Sequence, residues 1–297
     1  LVEVTPAIYR ELEDALAAAY PGERFCVGPF LRYGSWVGGD RDGNPNVTAD
    51  VTRGALELQR RLALGRLVRD ADLLGRELSL SARRLEAPSA LLASIAEDAA
   101  RLPETAVRAR RYQAEPWREK LWYVRARLAA ARDRMDGGYA EVRGYLDDLA
   151  LLERSLDAPG LRPLREGRLR DARRRAEVFG FHLATLDLRQ HSAVHETAVA
   201  ELLAAGGVAG YTLLPEPERV ALLGLLLERA DVGAPRARGR LSPPTRELLD
   251  TLDVVGRARR DSGPEACERY VVSFTRSASD LLEVLFLARA ARLAPDE

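Results

Sequence analysis

Leucine and alanine recur every three or four residues among arginine, glutamate and aspartate along most of this 297-residue chain, a period that fits a helix face and not a strand. The fold class that follows is predominantly α-helical. Thr5-Pro6 reads as an N-cap followed by proline at the first helical position, opening a helix through Ala19 that Pro21-Gly22 ends. A long helix is expected from Thr48 to Leu78. Others are expected over Ala87–Arg101, Glu115–Asp133, Tyr139–Ser155, Leu164–Val178, His195–Ala205, Glu216–Ala230 and Thr245–Arg260, with an apolar helix after Asp280. Three segments break the period, Phe25–Val37, Phe179–Arg189 and Arg269–Arg276, and their apolar and β-branched residues predict strands. The last two are each followed by a helix, the order of parallel sheets and barrels. Three strands cannot close a barrel, so if they belong to one the rest lies outside this chain. The Gly- and Pro-rich loop Asp231–Pro244 is expected to be mobile.

Charge excludes several function classes. Lys plus Arg equals Asp plus Glu at 45 each, so no global field draws nucleic acid, an anionic membrane or a polyanion, and any anion site must be local. No apolar run approaches the roughly 20 residues that span a bilayer, and no leader pattern opens the chain, so a cytoplasmic location is expected. Cys26 and Cys267 lack metal-ligand spacing and are both expected to be buried small hydrophobes. Of the 45 basic residues only Lys120 is lysine, and the only methionine is Met135. Because the chain opens on Leu1, upstream sequence is expected to have been removed.

The densest chemical signal is Gly34-Ser35-Trp36-Val37-Gly38-Gly39-Asp40-Arg41-Asp42-Gly43-Asn44-Pro45-Asn46. Its glycines, asparagines and proline describe a backbone that turns tightly and brings Asp40, Arg41 and Asp42 together; a plain turn before a helix capped by Thr48 would use the same residues. An EF-hand is excluded, because its glycine and glutamate positions hold Pro45 and Val51. No phosphate-binding or dinucleotide-binding glycine turn is present. In the second signal, Leu186-Asp187-Leu188-Arg189-Gln190-His191-Ser192, period-two alternation puts Asp187 and Arg189 on one strand face and Leu186 and Leu188 on the other. An arginine at a strand's carboxyl end can bind a phosphate or carboxylate, or simply close a salt bridge. His191 and His195 are four apart, which permits a shared metal on a helix face, but no third ligand is evident and they read as surface or supporting histidines. Asp280 with Glu283 reads as a capping box that starts the last helix, and Arg168–Arg175 as a solvated helix face.

The segment Gly34–Thr48 closely resembles the most characteristic motif of the phosphoenolpyruvate carboxylases, with Val37 where methionine is common. Leu186–Gln190 is similar to that family's Asp-x-Arg-Gln strand, and Tyr270–Ser273 with Ser279–Val284 follows in the same order; His191-Ser192 departs from the more usual Glu-Ser. The resemblance implies that residues 1–297 are a central fragment of one domain: the helical portion of a (β/α)₈ barrel with many extra helices, from a homotetramer. It implies a parent enzyme that carboxylates phosphoenolpyruvate with bicarbonate to oxaloacetate and phosphate, using Mg²⁺ or Mn²⁺ whose ligands are not in this chain. Bicarbonate would attack the phosphoryl group, giving carboxyphosphate and an enolate that captures the carbon dioxide released. Carried across, Arg189 would bind substrate phosphate, Trp36 would line the bicarbonate pocket, and Arg41 and Asp42 would serve the catalytic loop; Arg276 and His191 stay open. The family's Thr-Ala-His-Pro-Thr segment, Gly-Arg-Gly-Gly loop and metal carboxylates are not found here, so the isolated chain is expected to be inactive. The other reading is a non-catalytic helical scaffold or interaction module derived from the same family.

Overall fold

The computed structural model describes residues 1–23, 25–228 and 241–293; the loop expected to be mobile, Asp231–Pro244, lies outside them through residue 240. Contacts divide the chain into two units, one of residues 1–33 and 59–183, the other of residues 34–58 and 184–297.

The first unit is helical throughout its regular structure. It holds α1 (Thr5–Ala19), most of α2 (Ala49–Glu77), α3 (Ser89–Arg101), α4 (Pro103–Ala109), α5 (Pro116–Asp133), α6 (Val142–Ser155), the single turn α7 (Arg162–Leu164) and α8 (Arg170–Phe179). In α5, Trp117, Leu121, Val124 and Leu128 recur at three- and four-residue spacing and are fully buried with Leu64, Leu74, Tyr145 and Leu149. The helix stops where Arg134 turns left-handed at φ 56°. Three sequence expectations change here. Thr5 is the first residue of α1 and not its cap, because its hydroxyl donates to the Leu1 carbonyl at 3.0 Å and shares a hydrogen bond with the Tyr33 hydroxyl. The helix expected over Leu164–Val178 is broken by a π-turn over Arg165–Leu169 in which Gly167 leaves helical angles. The arginine-rich face is solvated only in part: Arg168 is exposed and Arg170 and Arg173 are half-exposed, but Arg174 and Arg175 are buried, and Arg175 makes two hydrogen bonds, at 2.7 and 3.0 Å, to the fully buried Asp70.

The strand expected over Phe25–Val37 contracts to β1 (Gly34–Ser35). Ahead of it the backbone amides bond to side chains instead of a ladder: those of Phe30 and Leu31 donate to the Tyr9 hydroxyl, and that of Val27 to Glu13. Cys26, expected to be buried, is exposed in this stretch, whereas Cys267 is buried.

The second unit contains β1, β2 (Thr185–Leu186), β3 (Leu188–His191), α9 (Ser192–Ala205), α10 (Glu216–Glu228), α11 (Pro243–Ser262), β4 (Tyr270–Ser273) and α12 (Ala278–Ala290). Among the described residues the strands are four and short, not three. All pair in parallel, β1 with β2 and β3 with β4, as strand-then-helix order predicts. The strand expected from Phe179 begins only at Thr185, because Phe179 still belongs to α8 and the chain then turns through positive φ at Gly180 and Leu183. It divides at Asp187, so its halves meet different partners. β4 ends where Phe274 takes φ 56°. A core of Ala198, Val199, Leu202, Leu223, Leu249 and Phe286 joins α9 to α12. The last helix is started by Ser277 and Asp280, whose carboxylate accepts the amides of Arg276 and Ser277 at 2.6 and 3.0 Å; Glu283, expected in that role, is buried further along.

Candidate functional site

After β1 the chain folds back on itself: the amides of Gly39 and Asp40 donate to the Trp36 carbonyl at 2.9 and 3.2 Å. Gly38 has φ +86°, and a Cβ there would meet Ala55 Cβ at 2.7 Å; at Gly39 a Cβ would sit 2.2 Å from the Asp187 carbonyl oxygen. Two residues without side chains therefore let this backbone lie against the start of α2 and against the β2–β3 junction. The result is main-chain pairing. Arg189 N–H donates to the Gly39 carbonyl at 3.0 Å and Arg41 N–H to the Arg189 carbonyl at 2.9 Å, setting Asp40 opposite Arg189 in parallel register.

That register brings the predicted residues together. The Arg189 guanidinium bonds Asp42 at 2.8 Å and Asp40 at 3.4 Å, and its Cζ lies 5.7 Å from the Trp36 ring centroid. About two-thirds of its side chain is covered, and two of its five N–H groups are used, so donors remain for a ligand oxygen. Asp40 also accepts the Asp42 amide, fixing the turn. Replacing Gly39 by alanine is expected to cost about 1–3 kcal/mol, because the methyl overlaps a backbone atom. Gly43→Ala, with open space around it, carries only the left-handed backbone cost of about 1–2 kcal/mol. Thermal unfolding measures both, and a Gly39→Ala protein as stable as the parent would sink the overlap argument.

Arg41 is buried. Its Nη2 donates to Thr52 Oγ1 at 2.6 Å, Nη1 to Glu247 at 3.3 Å, and Nε has no hydrogen-bond partner. Burial lowers its pKa from the ordinary value while Glu247 opposes the shift. Thr52 passes the chain on by donating to the Gly38 carbonyl, and Glu247 also accepts the Ala49 amide at the start of α2. Arg41 thus anchors the loop. Arg41, Asp42, Asn44, Gln190, His191 and Glu247 line a cleft of about 520 Å³.

Asp187 and Arg189, expected on one strand face, do not lie in one strand: Asp187 sits at the break between β2 and β3, with Oδ2 3.9 Å from Arg269 and Oδ1 buried without a hydrogen-bond partner. Leu186 and Leu188 are buried, as the alternation requires. His191 ends β3 and caps α9, so it shares no helix face with His195. His195 is fully buried, with Nε2 2.8 Å from the Tyr270 hydroxyl, and burial lowers its pKa to about 4. Arg276 is exposed and pairs with Glu196 at 3.5 Å. Among the described residues no three His, Cys, Asp or Glu side chains converge to hold a metal, and no helix is long and apolar enough to cross a membrane.

A profile of the family phosphoenolpyruvate carboxylase matches residues 1–297, the whole chain. The chain belongs to the phosphoenolpyruvate carboxylase family. Phosphoenolpyruvate carboxylases of Roseiflexus castenholzii and Nocardia farcinica are 43% and 40% identical to it, over 99% and 97% of this chain and 33% and 32% of their own length. That of Rhodothermus marinus is 41% identical over 97% of the chain and 31% of its own length. The chain spans about a third of the phosphoenolpyruvate carboxylases it matches. The resemblance read from Gly34–Thr48 therefore extends over every element described above. Sequence reasoning missed Thr52 and Glu247, which hold Arg41; neither carries a local signal, and Glu247 lies 206 positions away.

Proposed function

We propose that this chain supplies the anion-binding arginine and its supporting loop to a phosphoenolpyruvate carboxylase, whose reaction joins bicarbonate to phosphoenolpyruvate to give oxaloacetate and phosphate. The observation that carries this reading is the Arg189 guanidinium held by Asp42 and Asp40 beside Trp36. Two carboxylates fix the plane of the fork, and the remaining N–H groups can meet two oxygens of a phosphate at once. A fork oriented in advance adds little reorganisation cost as charge develops on a transferring phosphoryl group. Trp36, half-exposed at the end of β1, offers an aromatic wall for the smaller bicarbonate. In this reading Arg41 and Asp42 keep the loop in register, Arg41 from beneath and Asp42 through Arg189.

The parent's remaining barrel strands, its homotetramer and its cytoplasmic location are expectations of the same reading. Mg²⁺ or Mn²⁺ is the metal expected with this chemistry, where it would neutralise anionic oxygens. The described residues do not form a ligand set for it, and no step is assigned to it here.

In the full-length protein, Arg189→Gln is expected to lower kcat/KM for phosphoenolpyruvate by about 100-fold with little change in melting temperature, as loss of a charge-assisted contact to a reacting group does. Oxaloacetate formation coupled to NADH oxidation reads it, beside thermal unfolding. Full activity in that variant would assign Arg189 to the fold alone. The purified 297-residue chain is expected to form no oxaloacetate.

A further inference from the structure

A single carboxylate closes the loop that carries the candidate site. Glu247 Oε1 accepts from Arg41 Nη1 at 3.3 Å and also from the Ala49 amide, so both ends of the Arg41–Ala49 turn are gathered on one oxygen. Its platform is rigid. Glu247 stands near the start of α11, where Ser242 Oγ accepts the Thr245 amide, the Glu247 carbonyl accepts the Thr251 hydroxyl at 2.8 Å, and Leu248 and Leu249 are buried. A side chain projected from a packed helix holds its place better than one carried by a loop.

From Arg41 the path to the anion-binding fork is short. Arg41 N–H donates to the Arg189 carbonyl at 2.9 Å, and its sequence neighbours Asp40 and Asp42 are the two carboxylates that hold the Arg189 guanidinium. Among the described residues Glu247 bonds Arg41 and Ala49 and not Arg189, so its effect on that fork passes through the loop. Without Glu247 the buried Arg41 guanidinium, whose Nε has no partner, keeps Thr52 alone. It can then swing into the cleft that Arg41 and Glu247 both line, drawing Asp40 and Asp42 out of register.

We propose that Glu247 is a positioning residue: it closes the neck of the loop through Arg41 and Ala49 and thereby orients the Arg189 fork for the anion it binds. That role rests on the carboxylase reading, whereas the neck rests on its own hydrogen bonds. Oxaloacetate formation by the full-length protein is measured for Glu247→Ala in the parent and in an Arg189→Gln background, with thermal unfolding of each. In the parent background kcat/KM for phosphoenolpyruvate is expected to fall by about tenfold, and in the Arg189→Gln background by less than about twofold, because a fork that is absent cannot be misaligned. The melting temperature is expected to fall by the same amount in both. Glu247→Gln keeps the oxygen that both donors use and is expected to come within about threefold of the parent. Equal losses of kcat/KM in the two backgrounds would make Glu247 a residue of stability alone and overturn the proposal. So would an undiminished Glu247→Ala enzyme, or a glutamine variant as impaired as the alanine one. Amide hydrogen exchange over residues 38–49 and 188–190 reads the neck without turnover; it is expected to quicken in Glu247→Ala, and unchanged exchange would overturn the neck. A full-length protein that makes no oxaloacetate, or an Arg189→Gln protein as active as the parent, would overturn the carboxylase reading of this site, while quickened exchange would leave the neck standing.

Discussion

Lys120→Met is expected to destabilise the protein by about 3–5 kcal/mol, the cost of removing one partner from a buried ion pair. Lys120 is 1% exposed, and its ammonium meets Asp98 Oδ2 at 2.6 Å, Asp148 Oδ1 at 2.7 Å and Ser94 Oγ at 2.8 Å. Three donors find three acceptors. Arg127 reaches the same two carboxylates at 3.3 and 3.1 Å, and the Tyr139 hydroxyl donates to Asp148 at 2.5 Å. Two cations therefore face two anions, contributed by α3, α5 and α6. Methionine fills the space but leaves one negative charge in excess, which Arg127 alone cannot balance. Lys120→Met/Asp98→Asn restores neutrality and is expected to recover more than half of the loss. Lys120→Arg is expected to fall between, at about 1–3 kcal/mol, because a fork larger than the ammonium must enter a closed site. Urea unfolding of the three variants measures this. A double variant no more stable than Lys120→Met would show that packing, not charge, holds the three helices.

That network also accounts for a compositional oddity. Among 45 basic residues one lysine remains. It stands where each of the three ammonium donors meets an acceptor in a buried site.

The helices were legible because apolar spacing is local. In α5 the spacing of Trp117, Leu121, Val124 and Leu128 is the core face, and the helix starts and stops within a residue of its expected ends. Strands were legible only as tendencies. Residues 25–33 have strand composition, yet Tyr9 and Glu13 take their amides, and no periodicity reports a side chain of α1 competing for a backbone bond. The Gly38-Gly39 pair announced a close approach but not its target, the Asp187 carbonyl. The arginine stretch before Gly180 was legible only in part, for a related reason. Charge alone reads as solvated, and the Asp70 that draws Arg175 inside lies 105 positions earlier.

Glu283→Gln is expected to remove a pH dependence that the parent carries near neutrality. Glu283 is fully buried on α12, with the Tyr211 hydroxyl donating to Oε1 at 2.8 Å and Oε2 buried without a hydrogen-bond partner. Burial is the main cause that raises its pKa from 4.5 to about 7; Asp280 and Glu196 add to the rise, while the Tyr211 bond and Arg219 oppose it. Between those values the folded state holds a proton that the unfolded state has released. Stability supplied by the neutral acid is complete below about pH 4.5 and is lost as pH climbs through about 7, a difference on the order of 3 kcal/mol. His195 acts in the opposite sense. Burial lowers its pKa from 6.5 to about 4, so the unfolded state binds the extra proton and stability rises with pH over that interval. In the parent these two slopes oppose each other up to about pH 6.5, and only that of Glu283 continues above it. Glu283→Gln keeps an acceptor for Tyr211 and has nothing to ionise. Its stability should rise from pH 4.5 to 6.5 on the histidine alone and then hold level, exceeding the parent's at pH 8 by on the order of 3 kcal/mol. Urea midpoints from pH 4.5 to 8 test this, and parallel curves for the two proteins would mean that Glu283 does not titrate in this window.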